Sequence, residues 1–154
     1  MSQPEVTIVC KHFNELSTNE LYAIMQLRIQ VFSVEQNCPY QDADGKDQQS
    51  WHLMIYNKAN ELVAYSRLLP KGVSYKDYAS IGRVVNAQSV RGQGIGILLM
   101  QKSIEKALEL FKGEPIKISA QAYLRKFYTS LGFVATGEEY IEDHIPHIGM
   151  VLPD

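Results

Sequence analysis

The stretch Ile81-Gly82-Arg83-Val84-Val85-Asn86-Ala87-Gln88-Ser89-Val90-Arg91-Gly92-Gln93-Gly94-Ile95-Gly96, continuing through Ile97-Leu98-Leu99-Met100 to Phe111, decides the fold. A β-branched run enters a loop punctuated by Gly92, Gly94 and Gly96, and a long amphipathic segment follows without a break. The pattern predicts a strand, a glycine-rich turn and a helix. The first turn of a helix leaves backbone N–H groups without intrahelical partners, and the macrodipole adds partial positive charge there. Glycines let a ligand approach that backbone closely, so the place suits a phosphate or pyrophosphate. A P-loop would need Lys followed by Ser or Thr after its last glycine, where Ile97 and Leu98 stand. A dinucleotide fold would need Gly-x-Gly-x-x-Gly after the first strand, whereas the spacing here is Gly-x-Gly-x-Gly and the loop comes late in the chain.

Working upstream, Ser80–Asn86 is the strand that enters the loop. Ser50–Asn57 and Glu61–Leu69 are two apolar, β-rich runs joined by Lys58-Ala59-Asn60, hence a hairpin. Gln36–Gln49 has no periodicity and reads as an ordered loop. Its Asp42, Asp44 and Asp47 lack the spacing of a calcium loop, so no metal is expected; they read either as a solvated acidic face or as a lip that attracts a cationic substrate. Leu21, Ile24, Met25, Arg28, Val31 and Phe32 recur at helical spacing behind a cap at Ser17, Thr18 or Asn19, with Glu20 in the first turn. Arg28 is the odd member of that stripe. It either snorkels to the edge, pairs with a carboxylate such as Glu35, or contacts a ligand directly. Val6–Phe13 reads as a first strand.

Downstream, Ile116–Ala120 predicts a short strand, and Leu124, Phe127, Tyr128 and Leu131 mark a compact helix that Gly132 ends as a left-handed cap. Phe133–Glu142 and His147–Leu152 read as two last strands. The order β-α-β-β-β-α-β-α-β-β over residues 1–154, with no repeat or linker, predicts one mixed α/β domain. A net charge of −2 gives no bulk reason to expect nucleic acid or an anionic membrane. Cys10 and Cys38 carry no CxxC spacing and read as reduced thiols. No segment resembles a signal peptide or a membrane span, so the expected location is cytoplasmic.

Arg91-Gly92-Gln93-Gly94-Ile95-Gly96 resembles the (R/Q)xxGx(G/A) acyl-CoA motif of the GNAT superfamily of N-acyltransferases. Downstream, Ala122-Tyr123-Leu124-Arg125-Lys126-Phe127-Tyr128-Thr129-Ser130-Leu131-Gly132-Phe133 resembles that family's second motif, a helix that carries a tyrosine and closes in Gly-Phe. Leu27-Arg28, Val31-Phe32, Val34-Glu35-Gln36 and Cys38-Pro39-Tyr40 followed by Asp44, together with His144-Ile145-Pro146-His147-Ile148-Gly149-Met150, are similar to the ElaA-like branch. The resemblance implies an α+β fold whose mixed, mostly antiparallel sheet is flanked by helices and splays between its fourth and fifth strands around the pantetheine arm of acetyl-CoA. It implies that the backbone of Val84, Val85 and Asn86 pairs with pantetheine and holds the thioester carbonyl, although Asn86 stands where the family usually has valine. The amides around Arg91, Gln93, Gly94, Ile95 and Gly96 would hold the pyrophosphate. Gln121 stands where many relatives have asparagine and would add a further contact.

Acyl transfer to an amine requires the amine to lose a proton, the oxyanion to be stabilised and the thiolate to be protonated. By the resemblance, Tyr128 is the acid for the thiolate and no cysteine nucleophile is needed. Arg28, Glu35 and His147 are candidate acceptor-binding residues. Glu35 is the favoured contact for a cationic amine, and His147 stands among Glu35, His52, Glu142 and His144 as a candidate base. The activity expected is N-acetyl transfer from acetyl-CoA to a small-molecule or protein amine, with homodimers common in the family. The alternative is an acyl-CoA sensor without turnover.

Overall fold

The computed structural model describes residues 5–153. Eight strands form one sheet: β1 (Thr7–His12), β2 (Trp51–Tyr56), β3 (Leu62–Leu69), β4 (Ala79–Asn86), β5 (Ile116–Gln121), β6 (Val134–Ala135), β7 (Tyr140–Glu142) and β8 (Ile145–Leu152). Their order is β1-β2-β3-β4-β5-β8-β6, with β7 also paired to β8. Every neighbouring pair is antiparallel except β4 and β5.

Helices cover both faces of the central strands, which is why β2 and β3 are apolar almost throughout rather than alternating. Successive side chains point to opposite faces. Leu53, Ile55 and Ala64 meet Ile95 and Leu99 of α2 (Ile95–Leu110), while Met54, Tyr65 and Val85 meet Ile24 and Leu27 of α1 (Thr18–Arg28). Each fully buried leucine, isoleucine, valine or methionine among them contributes about 1.5–3 kcal/mol.

Among the three possible caps of α1, Ser17 is the one used. Its Oγ accepts from the Glu20 N–H (3.0 Å), and Glu20 Oε1 accepts from the Ser17 N–H (2.8 Å). The helix does not continue evenly to Phe32. From Ile29 to Glu35 it widens into a π-helix, with Gln36 N–H bonded to the Val31 carbonyl and Cys38 N–H to that of Ser33. The last expected strand pair also differs. Residues 133–142 supply two short strands, β6 and β7, separated by Gly137 at φ 104°. A two-residue turn, Asp143-His144 with φ 50° and 66°, then leads into β8.

Candidate active site

β4 and β5 pair only at Ala79–Ile116 and Ser80–Lys117, and then diverge. Each remains tied on its far side, β4 to β3 and β5 to β8. The divergence opens a cleft of about 1030 Å³ between them. Val84, Val85 and Asn86 line one wall, and Gln121 and Tyr128 line the other. β4 carries a bulge in this wall. Tyr65 faces Val85 and Arg67 faces Gly82, so Arg83 and Val84 together oppose Ser66, and Arg83 takes φ 48°.

At one end the wall runs into the glycine loop. Gly92 and Gly94 sit at φ 82° and 79°, a conformation that disfavours a side chain, and Gly94 caps α2. No side chain caps this helix and no acidic residue lies in its first turn. Its leading amides are therefore available to an anion. Gly96 leaves room for the Asn86 side chain. A Cβ there would lie 2.9 Å from Asn86 Nδ2. Arg91 reaches back along the loop, donating to the Asn86 carbonyl (3.1 Å) and pairing with Glu35 Oε1 (2.7 Å). The favoured amine-binding carboxylate is thus already engaged with the loop arginine. Arg91 and Gly96 line the cleft, whereas Gln93, Gly94 and Ile95 do not; the Ile95 side chain is buried against Leu53 and Ile55.

Tyr128 stands on α3 (Arg125–Ser130), 7% exposed, with its ring edge-on to Phe133 at 5.9 Å. Gly132, at φ 101°, reverses the chain so that Phe133 N–H bonds to the Tyr128 carbonyl and Gly132 N–H to that of Thr129. This Schellman closure folds Phe133 against the tyrosine, which gives the tyrosine-to-Gly-Phe spacing its physical meaning. Burial, with a smaller contribution from Tyr123, pushes the phenol up to about 12, so it is a neutral proton donor near pH 7.

The other end of the cleft differs most from expectation. Asp42, Asp44 and Asp47 are not a free acidic lip; each is clamped by two arginines, drawn from α1, β3 and β4. Arg28 is 0% exposed and lies outside the cleft. Its Nε pairs with Asp42 Oδ2 and its Nη1 with Asp47 Oδ1, both at 2.7 Å, so neither Glu35 pairing nor ligand contact describes it. Arg67 bridges Asp44 (2.8 Å) and Asp47 (2.9 Å), and Arg83 Nε donates to Asp42 (2.9 Å). Burial alone would raise the Asp44 and Asp47 carboxyls. Arg67 outweighs it at Asp44, and Arg28 with Arg67 outweighs it at Asp47, so both lie below the usual carboxylate range.

His52 belongs to the same buried layer rather than to the cleft. Its Nε2–H faces the Asp47 carbonyl (3.0 Å), so Nδ1 accepts from the Tyr65 hydroxyl (2.7 Å), and burial holds the ring neutral. His144 is also outside the cleft lining, whereas Glu35, Glu142 and His147 are part of it. Arg67 and Arg83 were not singled out from the sequence. Their partners lie 20 to 41 residues away, and no local pattern announces such a pairing. Cys38 lines the cleft; Cys10 packs into the core, where burial pushes its thiol up to about 11.

The profile of the acetyltransferase (GNAT) domain matches residues 19–153. Protein ElaA of Escherichia coli is 46% identical over 141 residues, covering 90% of this chain and 91% of that protein. The chain belongs to the GNAT acetyltransferases. The crystal structure of an acyl-CoA N-acyltransferase from Pseudomonas aeruginosa superposes with a TM-score of 0.89 at 45% identity, over 96% of this chain and 99% of that one. The crystal structure of E. coli ElaA gives the same TM-score at 42% identity. This GNAT chain is therefore of the ElaA-like branch, and the splayed, mixed sheet is the family fold. Acyl transfer from an acyl-CoA is the chemistry to which that membership points. No group of three or more His, Cys, Asp or Glu residues placed to hold a metal is found among the described residues. No helix among them is long and apolar enough to cross a membrane.

Proposed function

We propose that this protein transfers an acetyl group from acetyl-CoA to a primary amine by direct attack, without a covalent enzyme intermediate. The supporting observation is the single cleft that joins uncapped α2 amides, the bulged backbone of β4 and the Tyr128 phenol. In this reading the amides of Gly94, Ile95 and Gly96 bind the diphosphate, with Gln93, whose own N–H is bonded to the Val90 carbonyl, and Arg91, held by Glu35, beside them. Val84, Val85 and Asn86 offer main-chain groups to the pantetheine arm, and an N–H of the bulged strand meets the oxyanion. Gln121 adds a contact from the opposite wall. Tyr128, neutral and shielded, protonates the departing thiolate.

The acceptor is a small-molecule or protein amine. Glu35 acts on it only indirectly, through Arg91, and Arg28 acts only by fixing the loop that walls the acceptor end. Incubating the protein with acetyl-CoA and a panel of amines and peptides, with thiol release followed, tests the proposal. Tyr128→Phe is expected to lower kcat by about a hundredfold while leaving coenzyme A affinity intact. Full activity in that variant would remove the role of the phenol. Binding of acetyl-CoA without thiol release to any acceptor would identify a sensor instead.

A further inference from the structure

We propose that His147, acting at Nε2 with Glu142 beside it, is the base that takes the proton from the acceptor amine; the assignment rests on the acyl-transfer reading above. His147 is 7% exposed and lines the cleft from β8, where it pairs with Gln121 of β5. Its Nδ1 lies 2.7 Å from the Ile145 carbonyl oxygen. A carbonyl can only accept, so Nδ1 carries the hydrogen and the lone pair of the neutral ring is at Nε2. Nε2 has no hydrogen-bond partner among the described residues, and the closest carboxylate oxygen, Glu142 Oε2, is 3.6 Å away.

The ring is held from both sides of its strand. Tyr140 of β7 stacks on it, with ring centroids 6.2 Å apart and planes inclined by 26°, and Tyr140 is itself hydrogen-bonded to Ser119 of β5. The tight turn at Asp143-His144 brings Glu142 back over β8, which is why a carboxylate five residues away in sequence faces the imidazole. Ring tautomer, ring orientation and counter-charge are thus all set by the β7–β8 hairpin. By contrast, His52 has both ring nitrogens bonded within the protein, and neither it nor His144 of the β7–β8 turn lines the cleft.

The step balances as follows. The ammonium group gives one proton to Nε2, and the freed lone pair forms the C–N bond as the carbonyl π pair moves onto oxygen. The pair returns, the C–S bond breaks, and sulfur leaves with its electrons and takes the Tyr128 proton. The second proton lost from nitrogen restores the phenol, and the imidazolium releases its proton to water. Glu142 receives the Nε2–H while the ring is charged.

The test compares two acceptors with acetyl-CoA at one pH: a strongly basic alkylamine, almost wholly ammonium, and a weakly basic amine such as a hydrazine or arylamine, already neutral. His147→Asn keeps an N–H for the Ile145 carbonyl and is expected to lose about a hundredfold or more in kcat/KM with the alkylamine. Little loss is expected with the neutral acceptor, and coenzyme A affinity by calorimetry should be unchanged. Glu142→Gln, at a side chain that is half exposed, is expected to show the same acceptor dependence at smaller amplitude. Equal loss on both acceptors, or none on either, overturns the assignment. A wild-type protein that releases no thiol to any amine removes the acyl-transfer reading and the base with it. A wild type that turns over beside an equally active His147→Asn removes the base alone.

Discussion

The two ends of the cleft are made of different materials. At the glycine loop the working surface is main chain: positive-φ glycines, an uncapped helix and the bulged edge of β4. At the acceptor end it is side chain, with three arginines and three aspartates locked to one another across α1, β3, β4 and the loop between α1 and β2. Backbone amides bind by position and tolerate changes in neighbouring side chains. A buried ion network weakens when any one member is removed, because each of its two partners loses half of its compensating charge. In the proposed function the first end holds the thioester, and the second end braces the wall that meets the acceptor.

The sharpest way to break this contrast is Arg28→Ala. The residue does not line the cleft, yet its loss removes the buried one of the two arginines at each of Asp42 and Asp47 and is expected to cost about 3 kcal/mol in denaturant unfolding. A loss below about 1 kcal/mol, the range of exposed pairs, would mean that the network is not structural. Gly96→Ala probes the opposite end. The new methyl displaces the Asn86 side chain, and overpacking of about 1–2 kcal/mol is expected to appear as roughly a tenfold or greater rise in the Kd for coenzyme A. Thermal stability should change little, since alanine favours the helix. Parallel losses of stability and affinity would merge the two ends into one.

The smallest effect comes with acid. Asp44 and Asp47 have carboxyls depressed below their ordinary 3.8, so they add stability that is complete above that value. It is lost as pH falls from 3.8 through the lower folded-state values. Unfolding followed between pH 5 and pH 2 should show a decline confined to the lower half of that range, and Arg67→Met should weaken this decline. A stability that falls steadily from pH 6 would point to other groups.

The same contrast explains what could be read from the sequence. The glycine loop was legible because its requirements are local: a positive φ is met by glycine, and an uncapped helix start follows at once. The Tyr128 helix was legible for the same reason, since the tyrosine, Gly132 and Phe133 meet within one Schellman turn. The acidic loop was not. Asp42, Asp44 and Asp47 look solvated in the sequence because their cations arrive from positions 28, 67 and 83. Arg28 was visible as an anomaly in an apolar stripe, but its partners were not. The widening of α1 after Arg28 and the division of the penultimate strand at Gly137 were equally hidden, since both answer to tertiary pairing rather than to local propensity.

One consequence follows from the seam between β4 and β5. Past two residue pairs, the inner edges of Ile81–Asn86 and Ile118–Gln121 face each other without meeting, deep inside a sheet whose outer flanks are occupied. Elsewhere an unsatisfied strand edge invites promiscuous self-association. Here that hunger for partners is walled in on both sides, so that in the proposed function a slender guest carrying its own amides would complete the weave from within.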